Sequence, residues 1–163
     1  WVTYPFIDFI APRLHGGLTL FEFGSGNSTL FYAKSVSAVY SVENDKNWYD
    51  RIKNSLPENA HLFYEEMKPG GAYSKFAVKP GIAFDIIIVD GRDRVNCCIN
   101  SIANLNTGGV LVLDDSEREE YSPARDFLLK SNFKEIQFWG MAPGVKVRKS
   151  TSIFYKQDNC LGI

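Results

Sequence analysis

Short apolar runs alternate with helical stripes along nearly the whole chain, and that alternation leaves few folds open. Leu18 to Phe23 is apolar on both faces, as a strand buried within a parallel sheet must be, and Gly24-Ser25-Gly26 ends it. Asn27 or Ser28 can cap a helix through Leu30, Phe31 and Ala33, before a second strand from Ala38 to Val42 that Glu43 closes. Asp45 caps the next helix, whose Trp48, Tyr49, Ile52 and Leu56 recur at three-to-four spacing until Pro57 stops it. A third strand is expected at His61 to Tyr64, a fourth and most β-branched at Phe84 to Val89, and a fifth at Val110 to Leu113. Between the last two, Val95, Cys98, Ile99, Ile102 and Leu105 form an apolar helical stripe that Gly108-Gly109 terminates. Ser122-Pro123 then starts a helix leading to Phe127 and Leu128.

Repeated strand-helix rounds predict an α/β fold, a mostly parallel sheet doubly wound with helices on both faces. The ending differs. No helical pattern separates Phe133–Phe138 from Thr151–Tyr155, so these two strands are expected to pair as an antiparallel hairpin. The long connection from Glu65 to Ala83 reads as a binding loop or a mobile lid, with one short helix around Tyr73 to Val78. A length of 163 residues fits a single domain, residues 1–163. The chain opens on Trp1 rather than Met, so residues upstream are expected to be missing.

A net charge of −1 excludes a global positive field for a polyanion, so no nucleic acid is expected as partner. The tightest basic cluster, Lys146, Arg148 and Lys149, reads as a solvated loop. Three cysteines with no CxxC or Cys/His zinc spacing suit a reducing, cytoplasmic setting, and no apolar run approaches the length of a membrane helix. Cys97 and Cys98 fall on a helix stripe and read as packing, and His15 and His61 have no ligand partner at metal spacing. Aromatics reach 14%. Many fall on strands or helix stripes; Trp48, Tyr49, Tyr73, Phe76 and Trp139 remain to line a cleft for a flat or cationic ligand.

The segment Glu22-Phe23-Gly24-Ser25-Gly26-Asn27-Ser28-Thr29 closes a strand and opens a helix, the setting in which a Gly-x-Gly pattern becomes a ligand loop. Glu43 ends the next strand, 19 residues beyond Gly24, the spacing at which an acid takes ribose hydroxyls. An adenosine-bearing ligand follows. A dinucleotide is disfavoured because Thr29 stands where its third glycine belongs, and no Gly-Lys-Ser/Thr makes a Walker loop. Glu22 is an awkward neighbour for phosphate and a favourable one for an ammonium or sulfonium charge.

At these residues the chain resembles the class I S-adenosylmethionine-dependent methyltransferases. The matching pieces are Phe21 to Gly26, Glu43 within Ser41 to Asp45, Asp85 to Asp90, and Gly108 to Asp115, which together reach across nearly all of the chain. The resemblance implies a Rossmann-like seven-stranded sheet in the order 3-2-1-4-5-7-6 with strand 7 antiparallel. It implies S-adenosylmethionine as cofactor, bound by Glu22, Gly24, Ser25, Gly26, Thr29, Glu43, Asn44 and Asp90, with Glu65 and Glu66 as further adenine neighbours.

Asp90, Asp114 and Asp115 end the two strands beside the switch point, and this looks like the metal-binding acids of catechol-type O-methyltransferases. Such oxygen ligands suit Mg²⁺ or another divalent cation; without a metal, mutual repulsion would make one of them a general base. Asp115 replaces the family's Asn, and Asp93 stands where that subgroup carries its lysine base. Either way Asp90 and Asp114 are the catalytic residues expected. Arg92 and Arg94 could grip an anionic substrate or pair with these acids. The expected activity is methyl transfer to an oxygen or nitrogen of a small-molecule acceptor, with no membrane partner and with homo-oligomerisation left open. The Glu65–Ala83 connection, the last hairpin loop and the Tyr4–Leu14 segment remain for acceptor selection. A cofactor-binding domain without turnover, or an NAD-dependent oxidoreductase, are the competing readings.

Overall fold

The computed structural model describes residues 1–163. Seven strands form one sheet in the order β3-β2-β1-β4-β5-β7-β6. They are β1 (Thr19–Phe23), β2 (Ala38–Glu43), β3 (Ala60–Tyr64), β4 (Phe84–Val89), β5 (Leu105–Asp114), β6 (Lys134–Ala142) and β7 (Val145–Tyr155). The first five run parallel, and β7 is antiparallel to both β5 and β6. The order and the antiparallel seventh strand are those expected.

Alternation along each strand splits the core into two layers. Leu20, Ile86, Ile88, Val110, Val112 and Ile153 face one side, where Phe6 and Ile10 of helix α1 (Tyr4–Ile10) and Tyr32 of α2 (Asn27–Ala33) cover them. Phe21, Phe23, Ile87, Val89, Leu111, Leu113 and Phe154 face the other, under Cys97 and Cys98 of α4 (Arg94–Ser101) and Leu128 of α5 (Ser122–Lys130). The short helix α3 (Lys46–Ile52) buries no residue and is capped by Asp45, whose Oδ1 accepts from the amides of Asn47 and Trp48.

Four elements depart from the sequence expectation. β5 begins at Leu105, so Gly108-Gly109 lie within it, and the α-helix before it already ends at Ser101. The Glu65–Ala83 connection is no lid, because Tyr73, Ser74, Phe76 and Ala77 of its 3-10 helix are buried in the second layer. The Tyr4–Leu14 segment is likewise core: α1 inserts Phe6 and Ile10 and packs against β6. The last hairpin is longer than its apolar ends, running to a Pro143-Gly144 turn in which Gly144 takes φ +78. Lys146, Arg148 and Lys149 therefore lie on β7, and Lys149 is buried.

Two glycines fix how closely β1 and β4 approach at their ends. Gly24 has φ +91, and Gly91 sits so near it that a β-carbon at Gly91 would come 2.1 Å from the Tyr73 hydroxyl and 2.9 Å from the Gly24 amide nitrogen. Replacing Gly91 by alanine is expected to cost about 1–3 kcal/mol through overpacking against backbone that cannot yield, read as a lower urea midpoint.

Candidate functional site

One cleft of about 710 Å³ opens at the carboxyl ends of β1, β2, β4 and β5, where the strand order reverses. Its first half is lined by Glu22, Gly24–Ser28, Glu43–Asp45 and Trp48. Glu43 latches this half together. Its Oε2 accepts from the Ser25 amide at 3.2 Å and the Ser25 hydroxyl at 2.9 Å, and its Oε1 from the Asn44 and Asp45 amides, each at 2.8 Å. The carboxylate thus ties the glycine loop of β1 to the end of β2. Trp48 lies over the loop, its indole nitrogen donating to the Ser25 carbonyl at 2.9 Å.

Glu22 is only 1% exposed and has no cationic side chain within ion-pair distance. Ser28 donates to its Oε1 at 2.5 Å and Thr29 to its Oε2 at 2.6 Å, while burial pushes its carboxyl up to about 8. Thr29, expected at the cofactor, is fully buried behind the loop; its hydroxyl accepts from the Gly26 amide and braces Glu22. Glu65 and Glu66 do not line the cleft. Of the five aromatics expected there, only Trp48 does: Tyr73 and Phe76 are core, Tyr49 packs on Tyr64, and Trp139 lies under Arg148.

The second half is lined by Asp90–Arg94 apart from Asp93, by Asp114, Asp115, Glu117 and Arg118, and by Val145, Val147 and Lys149. Register explains the convergence. Val89 pairs with Leu113 and Asp114 with Thr151, so Asp90, Asp114, Thr151 and, two residues back, Lys149 project from one face. Strict alternation would send Asp115 to the opposite side, but its left-handed φ of +54 turns it back.

The three acids do meet, and protein cations already hold them. Arg94 Nη2 is 3.1 Å from Asp90 Oδ1, and its Nη1 is 3.3 Å from Asp115 Oδ2. Lys149 Nζ contacts Asp114 Oδ2 and lies 2.7 Å from Asp115 Oδ1. Thr151 donates to Asp114 Oδ1 at 2.7 Å, Arg118 approaches Asp115 Oδ2 at 2.8 Å, and the Trp1 main-chain nitrogen is 3.1 Å from Asp90 Oδ2. Burial and the neighbouring Asp90 push Asp114 up to about 7; burial also opposes ionisation of Asp115, but Lys149, Arg94 and Arg118 hold it below the usual carboxylate range.

Every oxygen of Asp114 and Asp115 faces a donor, and three of those donors, Lys149, Arg94 and Arg118, bring positive charge into the space a cation would need. This donor set does not fit a divalent metal, and no group of His, Cys, Asp and Glu side chains is otherwise arranged to hold one. The metal expectation for Asp90, Asp114 and Asp115 is corrected accordingly. Asp93, at the position of the subgroup's lysine, accepts instead from the Gly70 amide and the Asn96 side chain. Arg92 and Arg94 separate: Arg94 is locked to the acids, while Arg92 is exposed at the cleft with no carboxylate within ion-pair distance. Lys149 is the residue that sequence reading missed. The signal was the alternation Val145, Val147, Lys149, Thr151, Ile153, which extends the last strand backwards through the supposed loop.

No family model matches the chain, and no curated protein matches it. Solved structures do. An rRNA methylase from Streptococcus thermophilus is 15% identical with a TM-score of 0.65, covering 96% of this chain and 98% of its own. A candidate methyltransferase from Streptococcus mutans, in complex with SAH, is 13% identical with a TM-score of 0.66, covering 95% and 99%. A precorrin-6y C5,15-methyltransferase from Geobacter metallireducens is 16% identical with a TM-score of 0.67, covering 94% and 87%. The chain has the Rossmann-like fold of the class I S-adenosylmethionine-dependent methyltransferases. No helix is long and apolar enough to cross a membrane.

Proposed function

We propose that this protein transfers the methyl group of S-adenosylmethionine to an oxygen or nitrogen of a small-molecule acceptor. The observation that carries the reading is the Glu43 latch on the glycine loop, placed at the switch point and continuous with a second, charged half of the same cleft. When bound, the cofactor supplies a methyl group activated by its sulfonium. Glu43 and Asn44 are positioned for the ribose, Trp48 for the adenine edge, and Glu22 for the cationic methionine end. Asp90 faces the reactive end, where it would orient the acceptor and take its proton; catalysis rests mainly on holding the two reactants in line. Asp114, fully buried and held by Lys149 and Thr151, supports the site from beneath. Arg92 is available to an anionic group on the acceptor.

A methyl-transfer screen with labelled donor across phenols, amines, sugars, carboxylates and a structured RNA tests the acceptor. Transfer only to RNA would overturn the small-molecule reading, and transfer to nothing while the cofactor binds would favour a binding domain without turnover. Tighter titration by NAD than by S-adenosylhomocysteine would point to an oxidoreductase.

Glu22 gives this reading a pH signature. Its carboxyl ionises only near pH 8 in the free protein, so a cationic ligand that requires the carboxylate must displace a proton. Calorimetry near pH 7 in buffers of different ionisation enthalpy should show about one proton released on cofactor binding, and none for Glu22→Gln. The same group makes stability fall as pH rises. Its contribution is fully present below the unfolded value of 4.5 and is lost by about pH 8, so Glu22→Gln should gain at least ~1 kcal/mol on the wild type across that window.

A further inference from the structure

The acids at the acceptor end are organised around a lysine. Lys149 is 6% exposed, whereas its neighbours Lys146, Val147 and Arg148 are exposed. A lysine buried to that degree must be paired, and this one meets three acceptors with its three N–H groups: Asp114 Oδ2, Asp115 Oδ1 at 2.7 Å and the Trp1 carbonyl at 2.8 Å. The remaining carboxylate oxygens are taken by Thr151, Arg94 and Arg118 and, on Asp90, by the Trp1 main chain. The left-handed turn at Asp115 serves the same end, because only that turn brings its carboxylate to the Lys149 side of the sheet.

We infer that the Lys149 ammonium is the resident cation of this site, standing between Asp114 and Asp115 where a divalent ion would otherwise bind. It is a positioning residue and no base: with all three donors engaged and two carboxylates against it, it stays charged, fixing both acids and the Trp1 main chain beneath the cleft. The strand that supplies it is the extended β7, so the long hairpin is what makes the site independent of metal. The inference concerns the proposed acceptor end of the cleft, but its test does not depend on methyl transfer.

The test is Mn²⁺ binding, followed by the loss of the free-ion electron paramagnetic resonance signal, for the wild type, Lys149→Met and Lys149→Arg. Removing the ammonium leaves Asp114 Oδ2 and Asp115 Oδ1 without it. Lys149→Met is therefore expected to bind Mn²⁺ at least about tenfold more tightly than the wild type, with a denaturation midpoint that Mn²⁺ raises and chelator reverses. The wild type and Lys149→Arg, which keep a cation, should show neither effect. If Lys149→Met does not fold, Lys149→Gln carries the same comparison, since its amide keeps hydrogen bonds to the acids without the charge. Mn²⁺ binding by the wild type, or a folded uncharged variant that binds no more Mn²⁺ than the wild type, would overturn the inference. Neither result would bear on whether the cleft binds S-adenosylhomocysteine, which is read separately by titration.

Discussion

Replacing Arg94 by alanine is expected to cost about 3–5 kcal/mol of folding stability, measured by guanidinium denaturation near pH 7. The side chain is 10% exposed and every face of its guanidinium is used. Nε donates to the Gly91 carbonyl at 3.0 Å, Nη1 to the Asp114 carbonyl at 2.5 Å, and Nη2 to Asp90 Oδ1 at 3.1 Å, while the charge also faces Asp115. It is the bolt between the loop after β4 and the end of β5. Without it, the part-buried Gly91 carbonyl, the buried Asp114 carbonyl and the part-buried Asp90 carboxylate lose donors, and Asp90, Asp114 and Asp115 repel with Lys149 and Arg118 alone to balance them. Asp114, which burial and Asp90 already push up to about 7, would rise further without the guanidinium, so the loss should grow as pH rises above about 7. Arg94→Lys keeps the charge but not the planar fork and should recover part of the loss. Arg92→Ala, two residues away and unpaired, should stay within about 0.5 kcal/mol of wild type. A loss below about 1 kcal/mol for Arg94→Ala would mean that water, and not the guanidinium, stabilises these acids.

That contrast between Arg92 and Arg94 marks where sequence reading stopped. Both follow Asp90 in one loop, and nothing in their spacing says which turns inward; the answer lies in α4 beginning at Arg94, which aims that side chain at β5. The strand order, the glycine loop and the latch acid were legible because each depends on local pattern: apolar runs, Gly24, and an acid closing the next strand. Lys149 was hidden for the opposite reason. Its neighbours on β7 are polar because the hairpin projects past the core, so the apolar signal ends at Thr151 although the strand continues to Val145. Charge partners were likewise unreadable. Asp90, Asp114 and Asp115 could be placed at strand ends, but whether a metal or a lysine holds them is decided by a residue 35 positions beyond Asp114.

Glu43→Ala should weaken cofactor binding by about 100-fold or more and lower the denaturation midpoint as well, two losses with separate causes. A ribose hydroxyl loses a charged acceptor, worth roughly 1.5–3 kcal/mol. The glycine loop also loses its tie to β2, because the Ser25 amide and hydroxyl and the Asn44 and Asp45 amides all donate to this one carboxylate. The isosteric Glu43→Gln separates charge from shape. A carboxamide has one accepting oxygen, and here donors approach from both sides; whichever way it turns, its NH₂ meets a backbone N–H. Glu43→Gln is therefore expected to lose nearly as much as alanine, against the usual order for a conservative change. Calorimetric titration with S-adenosylhomocysteine and thermal melting of the same samples check both terms. A lowered midpoint with unchanged affinity would confine Glu43 to holding the loop and leave the ribose to Asn44, whereas loss of both together is what a latch that is also a ligand must give.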